Sequence, residues 1–424
     1  MPIGGGSFTV QNKVLPGAYI NFVSMGTNAK MGERGVAALP LELNWGPEGQ
    51  VFKLDAADFN ATSLKVFGYD PTDANILLVR EAMKRAKTLL IYRVNGGGTK
   101  ASATVGGMTV TAKYGGTRGN AIKVAVITNV DDATKADVVT YLDDMVMDSQ
   151  TVATLAAATA TPLTGGANAT VNAAKHTAAL TAFEVETFNV IGYPGTVEDI
   201  KSLYAAFVKR LRDDEGKKIV GVLYGYDGDN MGLINVKNGV VLTNGTTITG
   251  DKAVAWVTGA SAGAEVNESL TNTAYDDAVD VDIKYTKSQF EAAIKAGEFV
   301  FYADYGKARV LTDINSLTTI GQNMSSDWVS NRVVRVMDGW ANDVARIFGD
   351  SYIGLVTNSD TGRQLFKADL VSLALQYQSI DAISNFKSDD ITVQQGDGKR
   401  DVAVDCALQP NDSMEKLYMT VVVN

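Results

Sequence analysis

One cysteine, Cys406, and one histidine, His176, are all that this 424-residue chain holds of the side chains most used in metal and redox chemistry. A lone cysteine excludes an intrachain disulfide and a thiolate metal cluster. A lone histidine excludes relays of two imidazoles and removes most zinc sites and catalytic dyads. Bases are the minority charge: 38 Lys and Arg face 48 Asp and Glu, for a formal net charge of −10. A nucleic-acid coat or a binder of anionic membranes needs clustered bases, so neither is expected. No run of 18 apolar residues occurs, which leaves no candidate membrane span. Glycines and polar residues interrupt every apolar stretch of the first 30 positions, so no secretory segment is expected and folding in a cytoplasm is.

What remains is an ordinary globular composition, 46% hydrophobic and 20% charged, long enough for two or three domains. Residues 1–24 read as an arm, in which 18–23 have strand composition but no local partner in sequence. Such a strand must find a partner elsewhere. Residues 25–95 and 180–315 read as an α/β core. Its expected strands lie at 36–43, 89–94, 188–192, 218–224, 279–285 and 299–302. Its expected helices lie at 73–84 (N-capped by Thr72), 197–212, 253–264 and 287–296. Between the two halves, residues 96–175 are rich in Thr, Val, Ala and Gly with regular turn signals, as in a small inserted all-β domain.

Residues 316–410 predict a C-terminal α+β domain. Val333, Val336, Met337, Trp340, Val344, Ile347 and Phe348 form one helical stripe, a second helix runs to about 378, and a strand spans 402–408. Residues 411–424 hold a terminal strand at 416–423. The expected fold class is therefore a mixed α/β (α+β) multidomain protein with an inserted all-β domain and strand-like arms at both ends.

Candidate chemistry is thin. Gly259-Ala260-Ser261-Ala262-Gly263 matches the nucleophile elbow G-x-S-x-G, but helix-like residues precede it and His176 lies before it rather than after. An α/β hydrolase using Ser261 is kept as the alternative. Asp276, Asp277, Asp280 and Asp282 could suggest a hard cation, yet alternation with Val279, Val281 and Ile283 reads as the solvated face of a strand. The stretch from Asp227 to Gly232 opens like a calcium loop but has Met231 at a ligand position and lacks its closing glutamate. No phosphate loop or dinucleotide fingerprint occurs. His176 reads as a surface or cap residue, and Cys406 as a buried strand residue. No catalytic residue, cofactor or metal is expected.

Two unpaired terminal strands and no chemistry point to strand exchange between copies. Distinct donor and acceptor surfaces make an open helical polymer rather than a closed dimer. Several stretches, in order along the chain, resemble the tail sheath family of contractile phages and phage-tail-like bacteriocins, in its Gram-positive phage and prophage branch. They are PGAYINF (16–22), GERGVAALPLELNWGPEG (32–49), KYGGTRGN (113–120), AVAWVTGASAGAEVNESL (253–270), residues 331–344 and DSMEKLYMTVVV (412–423). The resemblance implies a non-enzymatic subunit that polymerises in stacked rings around an inner tail tube protein. It would be capped by baseplate and tail terminator proteins, without nucleic acid or membrane insertion. Assembly would take place in the bacterial host cytoplasm, into a virion tail or tail-like particle.

The same resemblance implies strand linkage between copies through Ala18, Tyr19, Ile20 and Phe22, through Val402 and Val404, and through Leu417, Tyr418, Met419, Val421 and Val423. It also implies that the C-terminal domain faces the tube, which makes Arg332, Arg335, Asp343, Arg346 and Lys367 candidate contacts. A non-contractile tube or array remains a further alternative.

Overall fold

The computed structural model describes residues 4–6, 14, 17–19, 30–153, 155–322 and 324–423. They divide into two compact units, one of residues 32–342 with 410–424 and the other of residues 1–31 with 343–409. Eight α-helices and several separate sheets make the protein mixed α/β and multidomain.

The larger unit is built on a seven-stranded sheet. Its order is Glu298–Phe299, Leu233–Val236, Val220–Tyr224, Val190–Tyr193, Val36–Leu41, Thr88–Arg93 and Val51–Asp55. All neighbours are parallel except the last, which runs antiparallel to Thr88–Arg93. Parallel strands are buried on both faces and read as continuous apolar runs, as Val36–Leu41 and Thr88–Arg93 do.

Successive residues of one strand enter opposite cores. Ala37, Leu39 and Leu41 meet α1 (Ala56–Phe67), α2 (Leu77–Met83) and α5 (Gly250–Gly263). Ala38 faces α3 (Ala173–Glu184) and α4 (Glu198–Asp213). Helix α4 buries Ile200, Tyr204, Phe207, Val208 and Leu211 at helical spacing. It carries Glu198 and Asp199 in its first turn and Arg210 and Arg212 in its last, as the helix dipole favours. Arg212 is buried and donates to Asp338 at 2.6 and 2.9 Å and to the Ile219 carbonyl at 2.7 Å.

Residues between the two halves of the sheet form a hairpin, Ser102–Val105 with Met108–Thr111, and an antiparallel four-stranded sheet. Val105, Val124, Val126 and Ala136 make its small core. The hairpin turns on Gly106 and Gly107, both at positive φ, which the primed two-residue turn requires. Arg93 anchors this insert by donating to the carbonyls of Leu43 and Gly115, each at 2.8 Å.

The smaller unit holds the second part of α7 (Asn331–Ser351), α8 (Asp360–Ser379) and a hairpin of Ile391–Gln395 with Val402–Cys406. Phe348, Tyr352 and Phe366 stack in one aromatic cluster. Tyr352 Oη donates to Asp369 at 2.6 Å, and Tyr377 Oη donates to Asp343 at 2.9 Å.

Several expectations are corrected. Asp73, not Thr72, caps the segment that starts at Ala74, its side chain accepting the Asn75 amide at 2.7 Å. That segment opens as a 3-10 turn before α2. Helices α1 and α3 and strand Val51–Asp55 occur where no element was expected. The strand expected at 279–285 is Ala278–Val281, and Val279 and Ile283 are exposed, so the alternation does not sort apolar from acidic residues. Gly17–Tyr19 has a local partner after all, pairing in parallel with Gly4–Gly6. Residues 416–423 form no strand, because no described residue offers them hydrogen bonds.

Candidate assembly interface

Side-chain bonds to Asp412 and Glu415 hold the start of the segment 411–423 to the larger unit. Ser330 Oγ donates to Asp412 at 3.0 Å, and Thr271 Oγ1 donates to Glu415 at 2.7 Å. Beyond Glu415 no hydrogen bond to another described residue occurs. Leu417, Tyr418, Met419, Val421, Val422 and Val423 are 70–89% exposed. Six large apolar side chains in seven positions lie exposed on both faces of this extended segment, the kind of patch that marks interaction sites. A run apolar on both faces is the pattern of a strand covered on both sides.

The hairpin of the smaller unit is a candidate acceptor. Val402–Cys406 pairs along one edge with Ile391–Gln395, from Val402 opposite Gln395 to Cys406 opposite Ile391. Among the described residues no strand takes its other edge. Helix α8 packs on the Ile391 strand, where Ile391 is fully buried. Val402 is half-buried, while Val404 and Cys406 are exposed. Cys406 is therefore corrected from buried to exposed: it shares a face of the hairpin with Ile391 opposite, but it stands on the outer strand, whereas α8 packs on the Ile391 strand. Of the N-terminal linkage residues, Ala18 and Tyr19 lie in the short strand Gly17–Tyr19, whereas Ile20 and Phe22 lie outside the described residues.

The charged tube-facing candidates separate into two sets. Arg335 is buried, donating to the Glu268 carbonyl and pairing with Asp313 at 3.4 Å. Asp343 is buried beneath Tyr377 and pairs with Arg346 at 3.3 Å. Both serve the packing of their own unit, so their charges are not displayed. Arg346 is exposed, and Arg332 and Lys367 are half-buried. Sequence reasoning overlooked a different surface on α8. Thr361, Gln364, Leu365, Ala368, Ser372, Leu375 and Ser379 share one outward sector without a single charge, and Leu365 and Leu375 stay about half exposed. A solvated helix face is normally charged. The missing charge at that spacing was the readable signal.

Ser261 is not at an elbow. It lies inside α5, 2% exposed, with no partner for its hydroxyl. His176 lies on α3, across the sheet, so the two cannot form a dyad. His176 is itself buried, its Nδ1 3.1 Å from Tyr204 Oη and its ring edge-on to Tyr193 and Tyr204. Burial holds its pKa below the ordinary value. The flanking glycines have a packing role: a Cβ on Gly259 or Gly263 would stand 2.1 or 2.0 Å from the carbonyl of Ala82 or Arg85. The G-x-S-x-G run thus lets α5 approach α2 and the turn after it.

The aspartates at 276–282 are individually occupied. Asp276 takes Arg85 and the Trp256 indole N–H, Asp280 pairs with Lys284, and Asp282 accepts the Gly239 amide. Asp229 accepts both the Thr318 and Thr319 amides, and the Thr319 hydroxyl, with these amides, holds its carboxyl well below the usual carboxylate range. Among the described residues no group of three or more His, Cys, Asp or Glu is arranged to hold a metal ion.

Comparison with known proteins follows this geometry along the whole chain. Residues 34–94 match the N-terminal region of domain III of the tail sheath protein Gp18, and 96–202 match a phage tail sheath β-sandwich domain. Residues 169–316 match the phage tail sheath central domain, and 323–424 the phage tail sheath C-terminal domain. The phage-like element PBSX protein XkdK of Bacillus subtilis is 37% identical, over 100% of both chains. The crystal structure of a sheath tail protein from Desulfitobacterium hafniense is 44% identical. It covers 95% of this chain and 99% of its own, with a TM-score of 0.84. The contracted helical sheath of the anti-feeding prophage shares the fold alone, at 13% identity and a TM-score of 0.57, covering 96% of this chain and 99% of its own.

Proposed function

The chain belongs to the phage tail sheath family, in the branch found in Gram-positive prophages, and from that premise we propose that it polymerises helically around an inner tail tube and contracts to drive the tube through a cell envelope. It is a structural protein of phage or phage-like particles. The observation that carries the finer reading is the segment 416–423, apolar on both faces, exposed and without a hydrogen-bond partner among the described residues.

In the polymer this segment adds to the open edge of the Val402–Cys406 hairpin in a second copy, and the N-terminal arm adds likewise. Burying Leu417, Met419, Val421, Val422 and Val423 contributes about 1.5–3 kcal/mol each as an upper range, before the cost of ordering the arm. The uncharged face of α8, with Arg346 and Lys367 at its margins, is the candidate tube contact. Baseplate and terminator proteins cap the two ends of the polymer.

Contraction slides rigid subunits from a kinetically trapped lattice into a tighter one while the strand links hold. A gain of about 1–3 kcal/mol per subunit, the scale of ordinary interface rearrangements, sums over the whole sheath without a nucleotide. Removing residues 416–424 tests the reading. The truncated subunit is expected to fold and stay monomeric by sedimentation, and tubes of normal length in electron micrographs would refute the linkage.

A further inference from the structure

The larger unit presents an open crevice and, elsewhere, an exposed and strained hairpin tip. In open sheets of mostly parallel strands, crevices form where adjacent strands send the chain to opposite faces. Here Val36–Leu41 and Val190–Tyr193 are such neighbours, the first leading to α1 and α2 on one face and the second to α4 on the other. A crevice of about 500 Å³ lies at their carboxyl ends, walled by Leu41, Leu78, Val94 and Ile200 and by the rings of His176 and Tyr193. Glu42 and Asp199 stand exposed among its lining, and neither forms an ion pair among the described residues. The crevice therefore suits a flat apolar group with a cationic neighbour.

The hairpin Phe301–Asp304 with Lys307–Val310 turns on two residues, Tyr305 at φ 44° and Gly306 at φ 70°. This turn prefers Asn-Gly, and a bulky side chain at positive φ is strained. Tyr305 is 97% exposed and gains no packing in return among the described residues. Lys307 beside it is exposed and forms no ion pair among the described residues. Strain without an internal gain marks a side chain held for an external contact.

We propose that the Tyr305–Lys307 tip of one copy enters the crevice of a second copy. The Tyr305 ring packs against Tyr193 and the apolar wall, and the Lys307 ammonium sits between Glu42 and Asp199. The inference rests on the polymer reading above and gives that polymer a second, heterologous contact, distinct from the strand link.

The test reads the critical concentration for tube formation together with the Tm of the unassembled subunit. Tyr305→Asn installs the preferred turn residue, so the Tm is expected to hold or rise while the critical concentration rises about tenfold. Lys307→Glu is expected to raise it similarly, as is Glu42→Lys with Asp199→Lys. Lys307→Glu combined with those two is expected to restore assembly to within about threefold of the parent. Parent-like assembly of Tyr305→Asn or Lys307→Glu, or a charge swap without rescue, overturns the contact. The two readings fail separately. A chain without 416–424 that still forms tubes defeats the strand link, whereas an undisturbed Tyr305→Asn alongside an assembly-dead truncation defeats only the tip contact.

Discussion

Thr88–Arg93 and residues 417–423 are nearly the same kind of sequence, TLLIYR and LYMTVVV, and they meet opposite fates. The first lies between Val36–Leu41 and Val51–Asp55 with helices over both faces, and five of its six residues are buried. The second stands in solvent with no strand beside it. An apolar run becomes a strand only where backbone partners are adjacent, and residues 417–423 have none among the described residues. Thr88–Arg93 thus belongs to a buried body, and residues 417–423 to an exposed end. Changes in the body should move subunit stability and leave assembly competence, and changes in the end should do the reverse.

The sharpest way to break that contrast is to charge the end. Leu417→Asp with Val421→Asp should abolish tubes in electron micrographs and leave the subunit Tm within about 1 °C, because these side chains bury nothing in the monomer. A drop of many degrees would place the segment inside the subunit's own fold. Next comes Arg212→Met, which strands Asp338 without its partner and should lower unfolding free energy by about 3–5 kcal/mol in urea titrations.

Gly259→Ala forces a methyl against the Ala82 carbonyl and should remove about 3 kcal/mol by the same measurement, the upper end of overpacking costs. A neutral result would mean that α5 and α2 separate easily. The smallest effect belongs to Asp229. Its folded pKa is depressed, so its contribution is present above the unfolded carboxylate range and lost as pH falls through the lower folded value. Asp229→Asn should therefore narrow the stability difference between pH 6 and pH 3, read from Tm at the two pH values. A wider difference would reverse the sign.

Elements with strong local contrast were legible from residues alone. Helix α4 shows its apolar stripe and charged ends, and the strands 36–41 and 88–93 show unbroken apolar runs. Helix α3, AAKHTAALTAFE, was not legible, since alanines and threonines at its apolar positions blur the stripe that packing nevertheless uses through Leu180 and Phe183. Asp73 displaced Thr72 as a cap because both can accept an amide and only the backbone path chooses. The proposed assembly surface was half legible. The arm announced itself by composition, whereas the α8 face was hidden behind a search for charge.

The residue string by itself settled the mixed α/β multidomain class: one His and one Cys leave no disulfide, thiolate cluster or two-imidazole relay, and α/β periodicities are interrupted by a glycine-bounded β insert. Tertiary structure alone decided that Arg335 and Asp343 are internal ion partners, that Ser261 is buried inside α5 rather than exposed on an elbow, that His176 is buried, and that two strands part to open a crevice. Periodicity reports which residues share a face of one element. Whether that face is covered depends on contacts between residues more than a hundred positions apart, and no local pattern carries that information.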